Sequence, residues 1–386
     1  MKQILFLSTV NLHERNGGAL ATLAYYNAFK YLYGSKVDLA LPAEYCYGDY
    51  VNAIPVPKRN RLLTYCKLFA GRFHRYKDFF NRLLKKEYTR YGLVVMNGGF
   101  YAGDMVKMFQ DYGIKVIVIH HNYEPEYHLG NRTLPTFRGL TPYFVAKNER
   151  KAYLGADKNV FLTQSDIYLH QQHYGKCKAR PFILGVFEPE NCLTFPGEQF
   201  TDISKGTAHC IVITGSMNSV QTICGIMDFK SKYFPILKKI LPDWKVIIAG
   251  RNPNQKIWEF ADENVDCIQV IPNPENMDEV IAKGSIFLCP TNVGGGLKLR
   301  LMDGLRNGLA VLTHEVSARG YDVFFDQPFF KVYKDGESFA NSLKMLSDFV
   351  QNKQEYNKAI CEIYRSTFSF EAGCERINLL MKELNC

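Results

Sequence analysis

The chain has 386 residues, of which 47% are hydrophobic and 22% charged; that is ordinary globular usage and excludes a disordered, collagenous or coiled-coil chain. Lys and Arg outnumber Asp and Glu by 47 to 38, a formal charge of +9, which favours anionic partners without choosing among nucleic acid, a membrane surface and a phosphorylated small molecule. The eleven cysteines are odd in number, scattered and never spaced Cys-x-x-Cys, so they are expected to be reduced thiols in a cytoplasmic protein.

The sequence opens with Met-Lys-Gln and runs straight into the strand-like ILFLST (4–9), without the features of a secretion leader. VDLAL (37–41), GLVVM (92–96), VIVIH (116–120) and NVFLT (159–163) follow, each succeeded by a stretch with helical periodicity. Short β-branched runs alternating with amphipathic segments predict parallel strands joined by crossover helices. The irregular stretch 184–206, rich in Pro, Gly and polar residues, reads as a linker. The alternation then resumes with HCIVITG (209–215), WKVIIAG (244–250), VDCIQVI (265–271), SIFLCP (285–290) and AVLTH (310–314). From about residue 335 the pattern is helical to the end. No apolar run approaches the roughly 18–20 residues needed to cross a bilayer.

The expected fold class is therefore α/β, with two Rossmann-like doubly wound domains facing a cleft. An N-terminal domain over 1–188 would be completed by a C-terminal helix, 369–386, crossing back to it, and a second domain would span 189–368. In such sheets ligands gather where loops leave the carboxyl ends of the strands. The chemically suggestive residues fall there: Gly17 and Gly18 after the first strand, His120 and His121 after the fourth, Gly215 and Ser216 at the head of the second domain, then Arg251 and the run Gly294, Gly295, Gly296.

The strongest local signal is PTNVGGGLKLRLMDGLRNG (290–308), three glycines directly before an amphipathic helix. Glycine lets backbone approach a ligand closely, and the free amides of a helix N-terminus favour phosphate. Lys298 and Arg300 add positive charge, and Asp303 could accept hydrogen bonds from a ribose diol. The competing reading is a Gly-rich turn before a solvated helix face. A Walker phosphate loop is excluded by the absent Gly-x-x-x-x-Gly-Lys-Ser/Thr order, and a dinucleotide fingerprint by the lone glycine pair at 17–18. The histidines could donate to a sugar hydroxyl or be structural. The spacing of His120, His121 and His128 does not match a zinc hydrolase, so no metal site is expected. The segment 58–86 mixes Arg72, Arg75, Lys85 and Lys86 with Phe79, Phe80, Leu83 and Leu84. It reads either as a basic helix lying on an anionic membrane or as a solvated face packed on the sheet. No nucleic-acid-binding motif accompanies the charge.

These residues resemble the GT-B-fold glycosyltransferases, specifically the retaining enzymes of family 4, group 1 type. The blocks carrying the resemblance are 212–253, 285–320, NGGA at 17–19 with Asn16, His121-Asn122, 156–175 and FSFE (368–371). The resemblance implies that the amides of Gly294, Gly295, Gly296 and Leu297 meet the donor's sugar and diphosphate. It assigns Lys298 and Arg300 to diphosphate charge, Asp303 to the ribose in place of the usual Glu, and His121, or His120 in exchange, to the donor sugar. It further implies transfer from a nucleotide diphosphate sugar, UDP- or GDP-linked, to an acceptor hydroxyl with retention and no obligatory cofactor or divalent ion. A lipid-linked glycan in surface polysaccharide assembly is the expected acceptor, with the protein cytoplasmic and at most peripheral on the inner membrane face. The alternatives are a nucleotide-sugar 2-epimerase and a non-catalytic nucleotide-sugar-binding subunit.

Overall fold

The structure, a computed structural model, describes residues 2–14, 16–57, 76–87, 89–126, 141–190, 196, 209–294, 297–350 and 353–385. Two compact units emerge: Met1–Asn191 together with Phe370–Cys386, and Cys192–Ser369.

In the first unit the strands are β1 (Gln3–Ser8), β2 (Val37–Pro42), β3 (Ile54–Val56), β4 (Tyr91–Asn97), β5 (Lys115–His120), β6 (Lys158–Phe161) and β7 (Phe182–Ile183). They form one sheet in the order β3-β2-β1-β4-β5-β6-β7, every pairing parallel. The helices are α1 (Gly17–Tyr33), α2 (Lys77–Glu87), α3 (Gly99–Asp111), α4 (Thr141–Gly155) and α5 (Gln164–Tyr174). Strand burial explains the near-continuous apolar runs: Ile4 to Leu7 and Val116 to Ile119 are all fully buried, as expected when helices cover both faces of a parallel sheet.

The second unit repeats the scheme. Its strands are β8 (Cys210–Ser216), β9 (Lys245–Arg251), β10 (Ile268–Pro272), β11 (Ile286–Cys289), β12 (Ala310–His314) and β13 (Phe330–Tyr333). They lie in the order β10-β9-β8-β11-β12-β13, again all parallel. Its helices are α6 (Val220–Asp228), continued by a π turn into α7 (Phe234–Ile240), then α8 (Gln255–Asp262), α9 (Met277–Ile281), α10 (Arg300–Arg306), α11 (Gly336–Phe349) and α12 (Lys353–Phe368). In both sheets the strand order reverses beside the first strand, between β1 and β4 and between β8 and β11. Those are the switch points where a doubly wound sheet opens a crevice for ligand.

The last helix, α13 (Phe370–Glu383), belongs to the first unit. There the Arg376 guanidinium donates to the carbonyls of Leu184 (2.7 Å) and Val186 (3.2 Å). Phe187 lies against Gly373, where an added Cβ would fall 2.2 Å from the ring. These contacts correct the expected linker: Leu184, Val186 and Phe187 are buried core of the first unit. Most of the remainder of 184–206 lies outside the described residues.

The sequence pattern also misses β3, β7 and β13, and VDCIQVI begins pairing only at Ile268, leaving Val265 exposed. All three missed strands are sheet edges of two to four residues, too short for periodicity to mark, and Pro55 in β3 is tolerated because an edge needs fewer ladder donors. In α2, Phe80 and Leu84 are fully buried and pack with Tyr76 and Phe109 in the first unit's core. The solvated-face reading therefore holds for this helix: its apolar stripe is covered, while Lys85 and Lys86 stay exposed. Residues 58–75, with Arg72 and Arg75, lie outside the described residues. Every cysteine among the described residues is a free thiol. No helix among them is long and apolar enough to cross a membrane.

Candidate functional site

In the second unit the site grows from the ends of β8 and β9, where Gly215 lies beside Gly250 and Ser216 beside Arg251. A Cβ on Gly250 would fall 1.8 Å from the Gly215 carbonyl oxygen, and one on Gly215 would fall 2.7 Å from Arg300 Nη1. Gly250 thus allows the strand ends to close up, and Gly215 allows the Arg300 guanidinium to come close to the backbone. Ser216 is exposed with its hydroxyl on Asn218 Oδ1 (2.8 Å), and Arg251 is exposed at the end of β9.

Arg300 acts as a bracket. Its Nη1 donates to the Thr214 carbonyl (3.2 Å) and Thr291 Oγ1 (3.4 Å), and its Nη2 to Thr222 Oγ1 (3.1 Å). The guanidinium therefore ties β8, the loop after β11 and the first turn of α6 together; among the described residues, two of its five N–H groups are left over. Lys298 is only 8% exposed, with its ammonium on Gln221 Oε1 at 3.2 Å. Gln221 stands beside Gly294, whose φ of +89° and lack of Cβ let the loop pass over the carboxamide; a Cβ there would meet Gln221 Nε2 at 2.4 Å. Thr291 and Lys298, on either side of residues 295–296, are each fastened through their carbonyls. The Ser317 hydroxyl donates to the Thr291 carbonyl (2.6 Å) and the Tyr321 hydroxyl to the Lys298 carbonyl (2.9 Å). Leu297 is half-buried beside Lys298; Gly295 and Gly296 lie outside the described residues. Asp303 follows on α10, where Arg306 reaches its Oδ1 at 3.3 Å while also pairing with Asp278 at 3.0 Å.

The structure brings Gly215, Arg300, Thr222, Gln221, Gly294 and Lys298 together at the β8/β11 switch point. Gln221 and Thr222 were not singled out in the sequence. The legible signal was Ser219, whose hydroxyl caps α6 by accepting from the Thr222 amide (3.3 Å) and so aims this first turn at the loop.

In the first unit Gly17 and Gly18 open α1 in exposed positions, capped by Asn16, whose side chain accepts from the Ala19 amide at 3.0 Å. A Cβ on Gly18 would make only an ordinary contact at 3.6 Å, so packing leaves this turn open. The two histidines part company. His120 is fully buried, stacked on Phe161 with ring centroids 4.8 Å apart, and burial pushes its imidazole below the usual range. It is therefore withdrawn from any sugar or nucleotide arriving from solvent, which corrects its expected interchangeability with His121.

His121 is half-buried, and desolvation, reinforced by His120, brings its pKa down to about 4. Its tautomer is fixed by a relay. The Thr22 hydroxyl donates to the Gly18 carbonyl (2.7 Å), so it must accept from Asn97 Nδ2 (2.8 Å). The Asn97 oxygen in turn accepts from His121 Nε2 at 2.8 Å. The neutral ring therefore carries its proton on Nε2 and a lone pair on Nδ1. The ring thus offers an acceptor at Nδ1, where the sequence reading expects a donor. Nearby Glu124 is buried, and desolvation with the Glu149 charge pushes its carboxyl up to about 8.

Residues 208–348 match the family model described as Glycosyl transferases group 1. A curated relative, an uncharacterized 44.6 kDa protein in the cps region of Klebsiella pneumoniae, is 25% identical over 116 residues, which span 28% of this chain and 30% of the relative. Among solved structures, Anabaena Alr3699/HepE in complex with UDP matches with a TM-score of 0.65 at 12% identity, covering 99% of this chain and 100% of that one. WaaG, a glycosyltransferase involved in lipopolysaccharide biosynthesis, matches with a TM-score of 0.59 at 15% identity, over 97% and 98% of the two chains. At these identities the likeness shows the fold, that of GT-B proteins with two Rossmann-like domains.

Proposed function

We propose that this glycosyltransferase, whose second unit is a group 1 domain on a GT-B fold, transfers a sugar from a UDP- or GDP-linked donor, UDP being favoured, to an acceptor hydroxyl. The observation that carries the reading is the convergence of Lys298 and Arg300 on the carboxyl edge of the second sheet, where β8 and β11 part beside the first turn of α6. The UDP complex of the HepE neighbour favours the uridine nucleotide.

In this reading the donor lies on the second unit. Its diphosphate takes the amides of the 294–297 loop, the Lys298 ammonium and the remaining N–H groups of Arg300, with Arg251 at the rim. Asp303 receives the ribose hydroxyls, at shorter reach than a glutamate. As the bond between the anomeric carbon and the diphosphate oxygen breaks, negative charge grows on the leaving group. Fixed cations and amides stabilise that charge without rearranging. The acceptor oxygen bonds the anomeric carbon and its proton leaves with the departing phosphate, with retention of configuration. On the first unit, His121 Nδ1 accepts a hydrogen bond from a sugar hydroxyl, and the open turn at Gly17 and Gly18 admits the reactants.

The acceptor we propose is a glycan on a lipid carrier in surface polysaccharide assembly, in keeping with the lipopolysaccharide role of WaaG. Because the stripe on α2 is buried, membrane attachment rests on charge, at about 1 kcal/mol for each basic residue near an anionic surface. Wild-type protein should then co-sediment with phosphatidylglycerol vesicles at low salt and lose that binding on replacing Arg72, Arg75, Lys85 and Lys86 by Ala. Equal sedimentation of both proteins removes the membrane from the account. The reaction itself is tested with radiolabelled UDP- and GDP-sugars and a lipid-extract acceptor. Label appearing in a glycan supports transfer, an isomerised donor would replace it by epimerisation, and binding alone would leave a non-catalytic subunit.

A further inference from the structure

A second group of ionisable side chains lies wholly inside the first unit. His120 at the end of β5, Glu149 on α4 and His170 on α5 are each 0% exposed, and one ligand atom from each falls within 4.8 Å of the others. Their outer hydrogen bonds fix where the protons sit. Asn159 Nδ2 donates to the Tyr153 carbonyl at 2.7 Å, so Asn159 Oδ1, 3.0 Å from His120 Nε2, accepts and that nitrogen carries the ring's proton. His170 Nδ1 lies 2.8 Å from the Asp166 carbonyl, which can only accept, so that ring's proton is on Nδ1. A neutral imidazole has one N–H. His120 Nδ1 and His170 Nε2 therefore carry lone pairs, and neither has a hydrogen-bond partner among the described residues. Both point at the same oxygen, Glu149 Oε1, from 3.9 and 3.4 Å. Three acceptors converge in a buried interior; the Glu124 backbone N–H reaches Glu149 Oε1 at 3.5 Å but neither imidazole lone pair, an arrangement that is costly unless a cation lies between them.

We propose that His120, Glu149 and His170 form a buried structural site for a divalent first-row transition metal of the zinc class. Zinc holds imidazole nitrogen and carboxylate oxygen at about 2.0–2.2 Å in a tetrahedron, whose edges are then about 3.3–3.5 Å long. The separation of His170 Nε2 from Glu149 Oε1, 3.4 Å, is such an edge; that of His120 Nδ1, 3.9 Å, is wider, and the two imidazole nitrogens lie within 4.8 Å, so the rings would draw in on an ion whose fourth position these three side chains leave open. The outer partners are those of a metal-bound histidine, whose second N–H is taken by a carbonyl or carboxamide oxygen. The Tyr174 hydroxyl donates to Glu149 Oε2 at 2.9 Å, which holds the carboxylate with Oε1 inward. Glycine at position 99 keeps the space beside the ring clear: a Cβ there would fall 2.5 Å from His120 Nδ1. The ion would tie β5, α4 and α5 together immediately behind His121. It lies beyond the reach of any substrate, so it braces the fold and takes no part in the transfer. The group also explains why histidine spacing along the chain gave no metal signal: the third ligand is a glutamate, and the histidines come from separate elements.

The test uses untagged full-length protein expressed in zinc-supplemented medium and desalted for elemental analysis. About one zinc ion per chain is expected. Stripping with a chelator should lower the thermal midpoint, and added zinc should restore it. Cobalt(II) in place of zinc should give visible d–d bands. His170→Gln should lose the zinc and the cobalt bands with an unchanged far-ultraviolet circular dichroism spectrum, whereas replacing the exposed His173 by Gln should keep both. Wild-type protein without stoichiometric metal and without a zinc-dependent midpoint would overturn the proposal and leave an imidazolium–carboxylate pair in its place. Metal that persists in His170→Gln would overturn it equally. Should His170→Gln fail to fold, the wild-type elemental, cobalt and midpoint readings decide alone. None of these depends on sugar transfer, so failure here and failure of the proposed activity are separable.

Discussion

His121 and Asn97 are joined by a 2.8 Å hydrogen bond from the imidazole Nε2 to the carboxamide oxygen. Because Thr22 takes the other end of the same amide, Asn97 cannot turn round, and His121 presents a lone pair from Nδ1. A histidine in a loop is free to choose its tautomer; this one is held by a side chain that is itself 1% exposed.

Replacing Asn97 by Ala strands the His121 N–H and takes from the Thr22 oxygen the donor it accepts from, while its hydroxyl still donates to the Gly18 carbonyl. The loss should be about 1–3 kcal/mol in urea unfolding, the usual cost of unpaired buried polar groups. On the proposed mechanism, kcat should fall with it while UDP affinity stays unchanged, because Asn97 is in the first unit and the nucleotide is assigned to the second. An intact kcat would remove His121's fixed tautomer from the mechanism.

Gly250 should tolerate no side chain. With the Gly215 carbonyl 1.8 Å from an added Cβ, Gly250→Ala must separate β8 from β9 at the heart of the site. A loss of about 3 kcal/mol or more is expected from overpacking against backbone. Gly34 makes the contrast: its φ of +58° and ψ of −128° suit only glycine, but nothing lies within 4 Å of a Cβ, so Gly34→Ala should cost about 1–3 kcal/mol from backbone strain alone. Equal midpoints for the two variants would contradict this close approach.

Arg376 holds α13 to the first unit through the Leu184 and Val186 carbonyls, with its guanidinium 5.5 Å from the Phe187 ring centroid. Burial lowers its pKa from the usual arginine value, yet it stays charged at neutral pH. Arg376→Met removes hydrogen bonds from a charged donor, worth about 1.5–3 kcal/mol each. Hydrogen exchange should then accelerate in Phe370–Glu383 and around residue 184, with the second unit's sheet unaffected. Uniform acceleration throughout the chain would argue against a local role.

Much of this architecture is legible in the sequence because parallel strands buried on both faces must be apolar throughout. Ile211 to Ile213 and Val116 to Ile119 announce themselves in that way. The loop after β11 is legible too, since glycines followed by Lys298 and Arg300 break an otherwise apolar pattern. Pairing across the chain is not. Gln221 meets Lys298 from 77 residues away, and Glu149 meets His170 only because α4 and α5 flank the same strand ends. The two adjacent histidines looked equivalent because a sequence gives no hint of depth. The last residue of β5 turns inward to Asn159 and the next turns to Asn97. In the basic stretch 58–86 the sequence left two readings open because amphipathicity marks a face that will be covered without saying by what; in α2 the cover is Phe109 and Tyr76 of the same unit.

The central claim is that the second unit holds a nucleotide diphosphate through Lys298, and calorimetric titration of the full-length protein with UDP, beside GDP and ADP, tests it most directly. The account predicts UDP binding at one site per chain. It also predicts that Lys298→Ala weakens that binding about tenfold to a hundredfold, the loss of one hydrogen bond to a charged group, with an unchanged thermal midpoint for the apo protein. Folded wild-type protein that gives no heat with UDP or GDP, or a Lys298→Ala variant that binds UDP as well as wild type, would contradict it.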